Sequence, residues 1–155
     1  MDDAPIQHRY PEDFCHCYGC GKLNAEGLGI KSHWDGRESV ARFTPAAYHI
    51  ALPGYVYGGL LASLVDCHGV GTAAAIAADE AEEAGGEGTH LPRYVTASLH
   101  VYFMRPTPLG PELVLKGRLK EKQKNKMVIE VEVFAGDEVK VKGEVVAAPM
   151  PRAMR

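Results

Sequence analysis

The sequence lacks an excess of positive charge. Its 155 residues contain 17 lysines and arginines against 20 aspartates and glutamates, which gives a formal net charge of −3 at pH 7. Proteins that bind nucleic acid usually present a basic surface, so this composition provides no electrostatic footprint for such a partner. No internal repeat is visible either.

The sequence also lacks a clear targeting or membrane-spanning segment. The first five residues have no basic region followed by an apolar stretch, so they are not expected to form a signal peptide. The most apolar segment, residues 58–78, is interrupted by Asp66, His68 and several glycines. It is predicted to be a buried helix and not a membrane span.

Cysteine is scarce and unevenly placed. Of the four cysteines, Cys15, Cys17 and Cys20 crowd the N-terminal segment, and Cys67 stands alone. A disulfide framework in a secreted protein usually spreads its cysteines over the whole domain. We therefore expect a reducing, cytoplasmic location.

The spacing Cys17-x-x-Cys20 suggests a zinc site, but zinc takes four ligands and no second Cys-x-x-Cys follows. Other nearby ligands would complete a site only with unusual spacing: His8, Cys15 and His16. A redox pair is also disfavoured, because no strand precedes the motif to form a thioredoxin-like unit. We interpret the motif as a structural turn in which Gly19 and Gly21 set the backbone. No metal and no cofactor are predicted.

The chain has the length and composition of one ordinary globular domain. It is 46% hydrophobic and 24% charged, and 155 residues suffice for one core. Residues 1–29 are rich in proline, glycine, cysteine and polar residues. We interpret them as an irregular N-terminal arm, followed by a single domain over residues 30–150.

The pattern of elements predicts an α+β fold. Asp35-Gly36, between two short alternating stretches, indicates a β-hairpin. The apolar helix of about 20 residues is predicted to end near the acidic, glycine-rich stretch 79–88, which we interpret as a solvated helix end and loop. Alternating segments then predict further strands: 94–104, 112–122, 127–135 and 138–148. A sheet must bury one face, and the apolar helix is its natural cover.

One carboxylate stands out in this helix. Asp66 lies seven positions after the Gly58-Gly59 pair, inside an otherwise apolar run of small residues. A carboxylate in such a position is costly to bury unless it is paired, neutralised or used. Its leucine, valine and alanine neighbours are expected to raise the pKa of Asp66 and to strengthen it as a base.

These features together resemble a known family. A helix that begins at Gly-Gly with an aspartate seven residues later, followed by a strand ending in YFMRP at residues 102–106, resembles the hotdog-fold acyl-CoA thioesterases, most closely the phenylacetate-pathway type. Residues 17–28 (CYGCGKLNAEGL) resemble a block common in that superfamily. The resemblance extends from about residue 15 to 148. It implies a long central helix wrapped by a curved antiparallel sheet of five to six strands, in a homodimer and often a homotetramer.

The resemblance also implies an activity and a set of residues. Members hydrolyse an acyl-CoA to a carboxylic acid and free CoA. By motif position, Asp66 matches the catalytic carboxylate and Gly58 matches the backbone N–H donor to the thioester carbonyl. Thr96, ten residues before Pro106, matches a serine or threonine that assists the attacking water or the carboxylate.

The chain departs from the family pattern at two positions. The family usually has histidine before Gly-Gly, where this chain has Tyr57, whose phenol can still donate a hydrogen bond. An asparagine or glutamine often lies about six residues upstream, where this chain has Ala51, with His49 nearby. We expect these positions to bear on the choice of acyl group. Tyr57 has an alternative role, which is simply to pack at the start of the helix.

The chemistry explains why these residue types are needed. A carboxylate can activate water as a general base or attack the thioester directly to give a mixed anhydride. The free N–H groups of the first helical turn, near Gly58 and Gly59, can stabilise the oxyanion with help from the helix dipole. Glycine at these positions lets the substrate approach the backbone closely.

The spacing on the helix predicts a shared active site. Gly58 and Asp66 are eight residues apart, which separates them by roughly 12 Å on one helix. Both cannot reach one thioester carbonyl from the same chain. We therefore expect Asp66 and Thr96 from one protomer to face Gly58 and Tyr57 of another.

Several alternatives stay open. The basic residues between Lys116 and Lys126 form a solvated sheet face or, with Arg105 and Arg93, hold the CoA phosphates. Thr96 is also a common strand former. His68 lies about 200° round the helix from Asp66 and is expected in core or interface packing.

Two other functions compete with thioester hydrolysis. Tyr57 in place of histidine favours a non-catalytic acyl-CoA-binding protein, either a sensor or a scaffold. A hotdog hydratase or dehydratase would need an Asp/His pair near the helix start, and the sequence does not contain that arrangement.

Overall fold

A computed structural model describes residues 3–86 and 91–155. The described elements are one long helix, α1 (Gly58–Glu83), and six strands: β1 (Ser32–Trp34), β2 (Ser39–Phe43), β3 (Tyr94–Phe103), β4 (Leu113–Lys122), β5 (Met127–Ala135) and β6 (Glu138–Pro149). Short 3-10 helices occupy Ile6–Arg9, Glu12–Phe14 and Arg152–Met154. Each predicted strand is confirmed to within two residues at either end.

The six strands form one antiparallel sheet with the order β1-β2-β4-β5-β6-β3. The hairpin predicted at Asp35-Gly36 joins β1 to β2, and Gly36 adopts a positive φ of 98° there. The long helix packs on one face of this curved sheet. The α+β hotdog architecture is therefore confirmed.

Helix α1 is longer than predicted. It spans 26 residues and continues through the acidic residues 79–83 before the chain leaves it at Ala84. The helix end expected within residues 79–88 is confirmed, and residues 87 and 88 of that stretch lie outside the described part of the chain. By length and composition α1 could cross a membrane, but 72% of its most apolar window is buried. It is the core helix of the domain, as expected.

Two glycines let α1 lie close to strand β6. A Cβ added to Gly69 on the helix would come within 2.5 Å of Val145, and one added to Gly143 on the strand would come within 2.4 Å of Val65. These distances are shorter than any van der Waals contact, so larger residues would force the two elements apart. The small-residue character of the helix is thus a packing requirement.

Strand β3 carries a β-bulge that changes which side chains face the helix. Its pairing with β6 shifts between Thr96 and Ser98, with Ala97 as the extra residue. Before the bulge, Tyr94 is buried and Thr96 contacts α1. After it, Leu99 and Val101 pack against the core, and the half-exposed Phe103 contacts Gly58. The bulge therefore aims Thr96 at the helix while Leu99 and Val101 stay on the core side of the strand.

The N-terminal residues pack onto the domain. Ile6, Tyr10 and Cys15 belong to the buried core, and the Gln7 side chain accepts from the Ser32 backbone N–H and donates to the Ser32 hydroxyl. Apart from the two 3-10 helices the segment is irregular. Its side chains extend the core past one end of the sheet and bring Cys17 and Cys20 against α1.

Candidate active site

Asp66 and Thr96 form a direct pair. Asp66 projects from the middle of α1, and the Thr96 hydroxyl on β3 donates a hydrogen bond to Asp66 Oδ1. Asp66 is partly buried, whereas Thr96 is exposed on the strand at the edge of the sheet. The pair therefore sits where the interior of the domain opens toward the sheet edge.

The surroundings of Asp66 act on its pKa in opposite directions. Burial raises the pKa of Asp66 above the ordinary value, and this effect is the largest. The hydrogen bond from Thr96 and the charge of Arg93 favour the carboxylate and oppose that rise, while the Cys17 sulfur adds to it. A carboxyl group with a raised pKa is a stronger base once it has lost its proton.

A small cavity of about 140 Å³ surrounds this pair. Arg93 lies on its wall, where Nη1 donates to the Tyr94 carbonyl at 2.7 Å and the guanidinium stacks on the Tyr10 ring at 4.8 Å. These contacts fix a positive charge beside the carboxylate. The structure thus brings together three predicted site residues: Asp66, Thr96 and Arg93.

Three cysteines line the same cavity. The sulfurs of Cys17, Cys20 and Cys67 lie within 4.8 Å of one another, and 3.9 Å separates Cys17 Sγ from Cys67 Sγ. Hydrogen bonds from the Cys20 and Cys67 thiols lower the pKa of Cys17, and the same pairing raises the pKa of Cys20 to about 12 and also raises that of Cys67. The cluster favours one thiolate, on Cys17, close to Asp66.

Sequence reasoning missed the third member of this cluster. The zinc site considered for Cys17 and Cys20 used histidines near them in sequence, but Cys67 comes from α1, 47 positions after Cys20. Gly19 makes the approach possible, because a Cβ there would lie 2.3 Å from Cys67 Sγ. The sequence does show Cys67 directly after Asp66. It does not show that the N-terminal segment with Cys17 and Cys20 packs against this part of α1.

Gly58 lines a different and larger cavity, of about 510 Å³. The apolar wall includes Leu52, Val56, Leu61, Phe103 and Met104. In the first turn of α1 the N–H groups of Leu60 and Leu61 donate to the Tyr57 carbonyl at 3.2 and 3.3 Å, and no side chain caps the helix start. The N–H groups of Gly58 and Gly59 come before the first intrahelical acceptor. Gly58 sits against the Phe103 ring, which a Cβ would approach to 3.4 Å.

One polar group in this larger cavity has no partner. Thr107 is 3% exposed, and its hydroxyl is the buried side-chain polar atom for which the described residues offer no hydrogen bond. A buried hydroxyl without a partner costs free energy, so such groups often mark the place of a ligand or a water. Thr107 is a second residue that sequence reasoning missed, because an unpaired hydroxyl is visible only in three dimensions.

Within one chain, Gly58 and Asp66 do not share a cavity. Gly58 and Arg105 line the larger cavity, and Asp66, Thr96 and Arg93 line the smaller one. The arrangement agrees with the separation of roughly 12 Å that the helix imposes on groups eight residues apart. Within one chain the predicted site is therefore divided between two cavities, which we call half-sites.

The remaining predicted residues surround the start of α1. Tyr57 is 58% exposed, and its ring lies over Gly59, where an added Cβ would come within 2.5 Å of it. The backbone N–H of Tyr57 donates to the His49 carbonyl at 2.9 Å, and the His49 ring accepts from the Ala46 N–H at 2.9 Å. Neither described cavity is lined by Tyr57, Gly59 or His49. The His49 ring accepts a hydrogen bond within the loop that precedes α1 and so helps to fix the conformation of that loop.

Most basic residues of strand β4 have acidic partners. Arg118 contacts Glu132, Lys120 contacts Glu144, and Lys122 contacts Glu80. Lys116 lies over the Phe134 ring at 5.3 Å. This pairing favours the solvated-face interpretation of the basic stretch. Arg105 also has a weak partner, since its Nε lies 3.7 Å from Glu138 Oε1.

His68 belongs to the core, as expected. It is fully buried, with Nδ1 2.8 Å from the Ser32 hydroxyl and Nε2 2.9 Å from the Ser39 hydroxyl. Thr72 completes the cluster at 2.6 Å from the Ser39 oxygen. Burial lowers the pKa of His68 to about 4. The imidazole is therefore neutral at pH 7 and has a structural role.

Comparisons with known proteins concern the family and the fold of the chain. A sequence model of the family described as the thioesterase superfamily matches residues 53–142. A solved thioesterase superfamily protein from Shewanella loihica PV-4 is 41% identical; the match covers 83% of this chain and 96% of that one, with a TM-score of 0.64. No curated protein matches the chain.

More distant structures share the fold. The PaaI protein from the phenylacetic acid degradation operon of E. coli is 18% identical, with 80% of this chain and 81% of that one covered and a TM-score of 0.64. A thioesterase from Haemophilus influenzae is 13% identical, with coverages of 83% and 86% and a TM-score of 0.66. At these identities the likeness concerns the fold alone.

Proposed function

Because this chain belongs to the thioesterase superfamily, we propose that it hydrolyses an acyl-CoA thioester to the free acid and CoA. The observation that carries this proposal is the hydrogen bond from Thr96 to Asp66, a partly buried carboxylate with a raised pKa at the edge of the sheet. In this proposal Asp66 is the general base or the nucleophile, and the Gly58 N–H is the oxyanion donor.

The unpaired edge of the sheet supports a shared active site. Strand β3 is ten residues long and lies at the end of the strand order. Most of its residues from Thr96 onward are exposed. Three large apolar side chains are exposed at its C-terminal end: Tyr102, Phe103 and Met104. Long edge strands with exposed backbone groups invite pairing with another chain. A homodimer that pairs β3 with its copy would cover this edge.

Antiparallel pairing of two β3 strands would join the half-sites. Thr96 lies near the start of β3 and Phe103 at its end, so a two-fold axis near the middle of the strand would set Thr96 beside Phe103 of the partner subunit. Phe103 lies against Gly58, and Thr96 binds Asp66. The carboxylate of one protomer would then face the helix start of the other.

The chemistry follows from that arrangement. Asp66 would take a proton from a water, and the water oxygen would attack the thioester carbonyl carbon. The Gly58 N–H would stabilise the oxyanion of the tetrahedral intermediate, which collapses with release of the CoA thiolate. Direct attack by Asp66 is the other route; it gives a mixed anhydride that water then hydrolyses. Thr96 would hold the carboxylate in position in either route.

The larger cavity fits the acyl group. Its apolar walls and volume of about 510 Å³ would suit an aryl or medium-chain acyl group. Arg93 and Arg105 each line one cavity, and in this proposal they would hold CoA phosphates. His49 and Gly59 would act through the loop and backbone that shape the helix start.

Release of free thiol from a panel of acyl-CoAs tests the proposal. Asp66→Asn removes the base while keeping the size of the side chain and an oxygen for Thr96, and we expect kcat to fall at least about 100-fold. Glu83→Gln, an exposed acid on the same helix, is the matched control and should retain full activity. Unchanged turnover in Asp66→Asn would refute the assigned role.

A non-catalytic acyl-CoA-binding protein is the second candidate. The observation that favours it is the Tyr57 ring, which lies over Gly59 and so covers part of the first helical turn. Tyr57→His would replace the phenol with a smaller ring that still donates a hydrogen bond. If wild type binds acyl-CoA without turnover and Tyr57→His turns it over, the wild-type chain is a binding protein. Turnover by wild type would exclude this candidate.

A further inference from the structure

A cluster of thiols lies beside the proposed catalytic carboxylate and takes no part in thioester hydrolysis. Cys17 and Cys20 come from one turn of the N-terminal segment, and Cys67 comes from α1. All three line the cavity that holds Asp66. The three sulfurs converge although the chain segments that carry them are far apart in sequence.

The distances match those of a metal bound by thiolates. Zinc binds sulfur at about 2.3 Å in a tetrahedron, which sets two sulfur ligands roughly 3.8 Å apart. Cys17 Sγ and Cys67 Sγ are 3.9 Å apart, and the third sulfur lies within 4.8 Å of both. The separations to Cys20 Sγ would need to shorten by at most about 1 Å to reach ligand geometry.

Backbone hydrogen bonds hold the turn that carries Cys17 and Cys20. The turn is held by hydrogen bonds from Gly21 N to the Cys17 carbonyl at 2.8 Å and from Ile30 N to the Gly19 carbonyl at 3.0 Å. These bonds do not depend on a ligand, so the turn would be ready to receive one.

We propose that Cys17, Cys20 and Cys67 bind one thiophilic metal ion of the Zn²⁺ class per chain. Soft thiolate ligands select such ions over Mg²⁺ or Ca²⁺. Three protein ligands would leave a fourth position open, and the three cysteines line the same cavity as Asp66 and Thr96. Binding would release thiol protons to solvent and would tie the N-terminal segment to α1. The sequence-based interpretation of Cys17-x-x-Cys20 as a structural turn did not include Cys67, which would be the third ligand.

Titration of the reduced protein with Zn²⁺ under oxygen-free conditions tests the proposal. In competition with a chromogenic chelator, wild type should bind one Zn²⁺ per chain, and its Tm should rise with Zn²⁺ concentration. Single substitutions Cys17→Ser, Cys20→Ser and Cys67→Ser should each abolish stoichiometric binding and the rise in Tm. No binding by the fully reduced wild type would overturn the proposal.

Cys15→Ser is the matched control. Cys15 belongs to the same segment, but its thiol contacts the carbonyls of Tyr10 and Pro11 and is not part of the cluster. This variant should bind Zn²⁺ like wild type. If Cys67→Ser also binds one Zn²⁺, the site uses other ligands and the proposal fails.

A measurement on wild type alone covers the case in which the variants do not fold. X-ray absorption of the Zn²⁺-loaded protein counts its sulfur ligands, and three sulfurs at about 2.3 Å support the site. Two or fewer would overturn it. None of these readouts depends on thioesterase activity, so failure of the metal site and failure of the proposed hydrolysis are distinguishable.

Discussion

Thr96 on strand β3 donates a hydrogen bond to Asp66 on helix α1, across the point where the edge of the sheet meets the core helix. The bond favours the ionised carboxylate, while burial of Asp66 favours the neutral acid. The balance between the two sets the pH at which Asp66 becomes a base. The β-bulge in β3, which turns Thr96 toward Asp66, therefore bears on the proposed chemistry.

Removal of this hydrogen bond should move the pH profile of hydrolysis. Thr96→Val keeps the shape of the side chain but no longer stabilises the carboxylate, so the pKa of Asp66 should rise further. The acid limb of kcat/KM should then shift to higher pH by roughly one unit, because a hydrogen bond to a charged group contributes about 1.5 kcal/mol. Thr96→Ser, which retains the hydroxyl, should leave the limb in place. A profile that does not move in Thr96→Val would show that the bond does not control Asp66.

A shared active site predicts complementation between two inactive variants. Gly58→Pro removes the proposed oxyanion N–H and adds a ring whose Cβ would lie 3.4 Å from the Phe103 ring. The backbone accepts it, since proline suits the first position of a helix and Tyr57 before it is already extended, with φ −60° and ψ 129°. Alone, Gly58→Pro and Asp66→Asn should both be nearly inactive. After unfolding and refolding as an equal mixture, half of the dimers contain one intact site, so about a quarter of wild-type activity should return.

The control for this experiment is separate refolding followed by mixing under conditions where subunits do not exchange, which should restore nothing. Size-exclusion chromatography with light scattering establishes the dimer independently. A monomeric protein, or a mixture as inactive as its parts, would contradict the shared site.

Thr107 offers a test of the larger cavity. Its buried hydroxyl has no partner among the described residues, so Thr107→Val should raise the free energy of unfolding of the free protein by about 1 kcal/mol. If the substrate pairs with this hydroxyl, KM for the preferred acyl-CoA should rise while kcat changes little. Urea unfolding and steady-state kinetics measure the two effects. Thr44→Val, at an exposed loop position, is the control that should change neither.

His68 should make stability depend on pH. Its pKa is about 4 in the folded protein against 6.5 for a free imidazole, so the unfolded chain binds more protons between these values. The contribution of His68 is therefore complete above about pH 6.5 and is lost as the pH falls toward 4, by about 3 kcal/mol in total. Urea unfolding from pH 7 to pH 4 should show a steeper decline for wild type than for His68→Gln.

His33→Gln is the matched control for this measurement, because His33 is exposed on β1 and its substitution should keep the wild-type pH dependence. Equal slopes for wild type and His68→Gln would contradict the assignment. His68→Gln should also be less stable at pH 7, since Ser32 and Ser39 lose partners buried in the core.

The sequence by itself determined the order and type of the elements. Alternation with a period of two, the Asp35-Gly36 turn and the apolar run after Gly58-Gly59 are local patterns, and each dictates a local conformation. The resemblance to the hotdog family then gave the wrapping of the sheet around α1, which the structure confirms. The eight-residue spacing from Gly58 to Asp66 separated the two groups on physical grounds alone, because the helical rise is fixed.

Only the tertiary structure decided which distant groups meet. The bulge at Ala97 turns Thr96 toward Asp66, and a period-two pattern cannot reveal where an extra residue is inserted. The meeting of Cys67 with Cys17 and Cys20 depends on how the N-terminal segment packs against α1, with Gly19 clearing the space. Such contacts join residues separated by tens of positions, and their partners are set by the packing of the whole domain and not by local propensity.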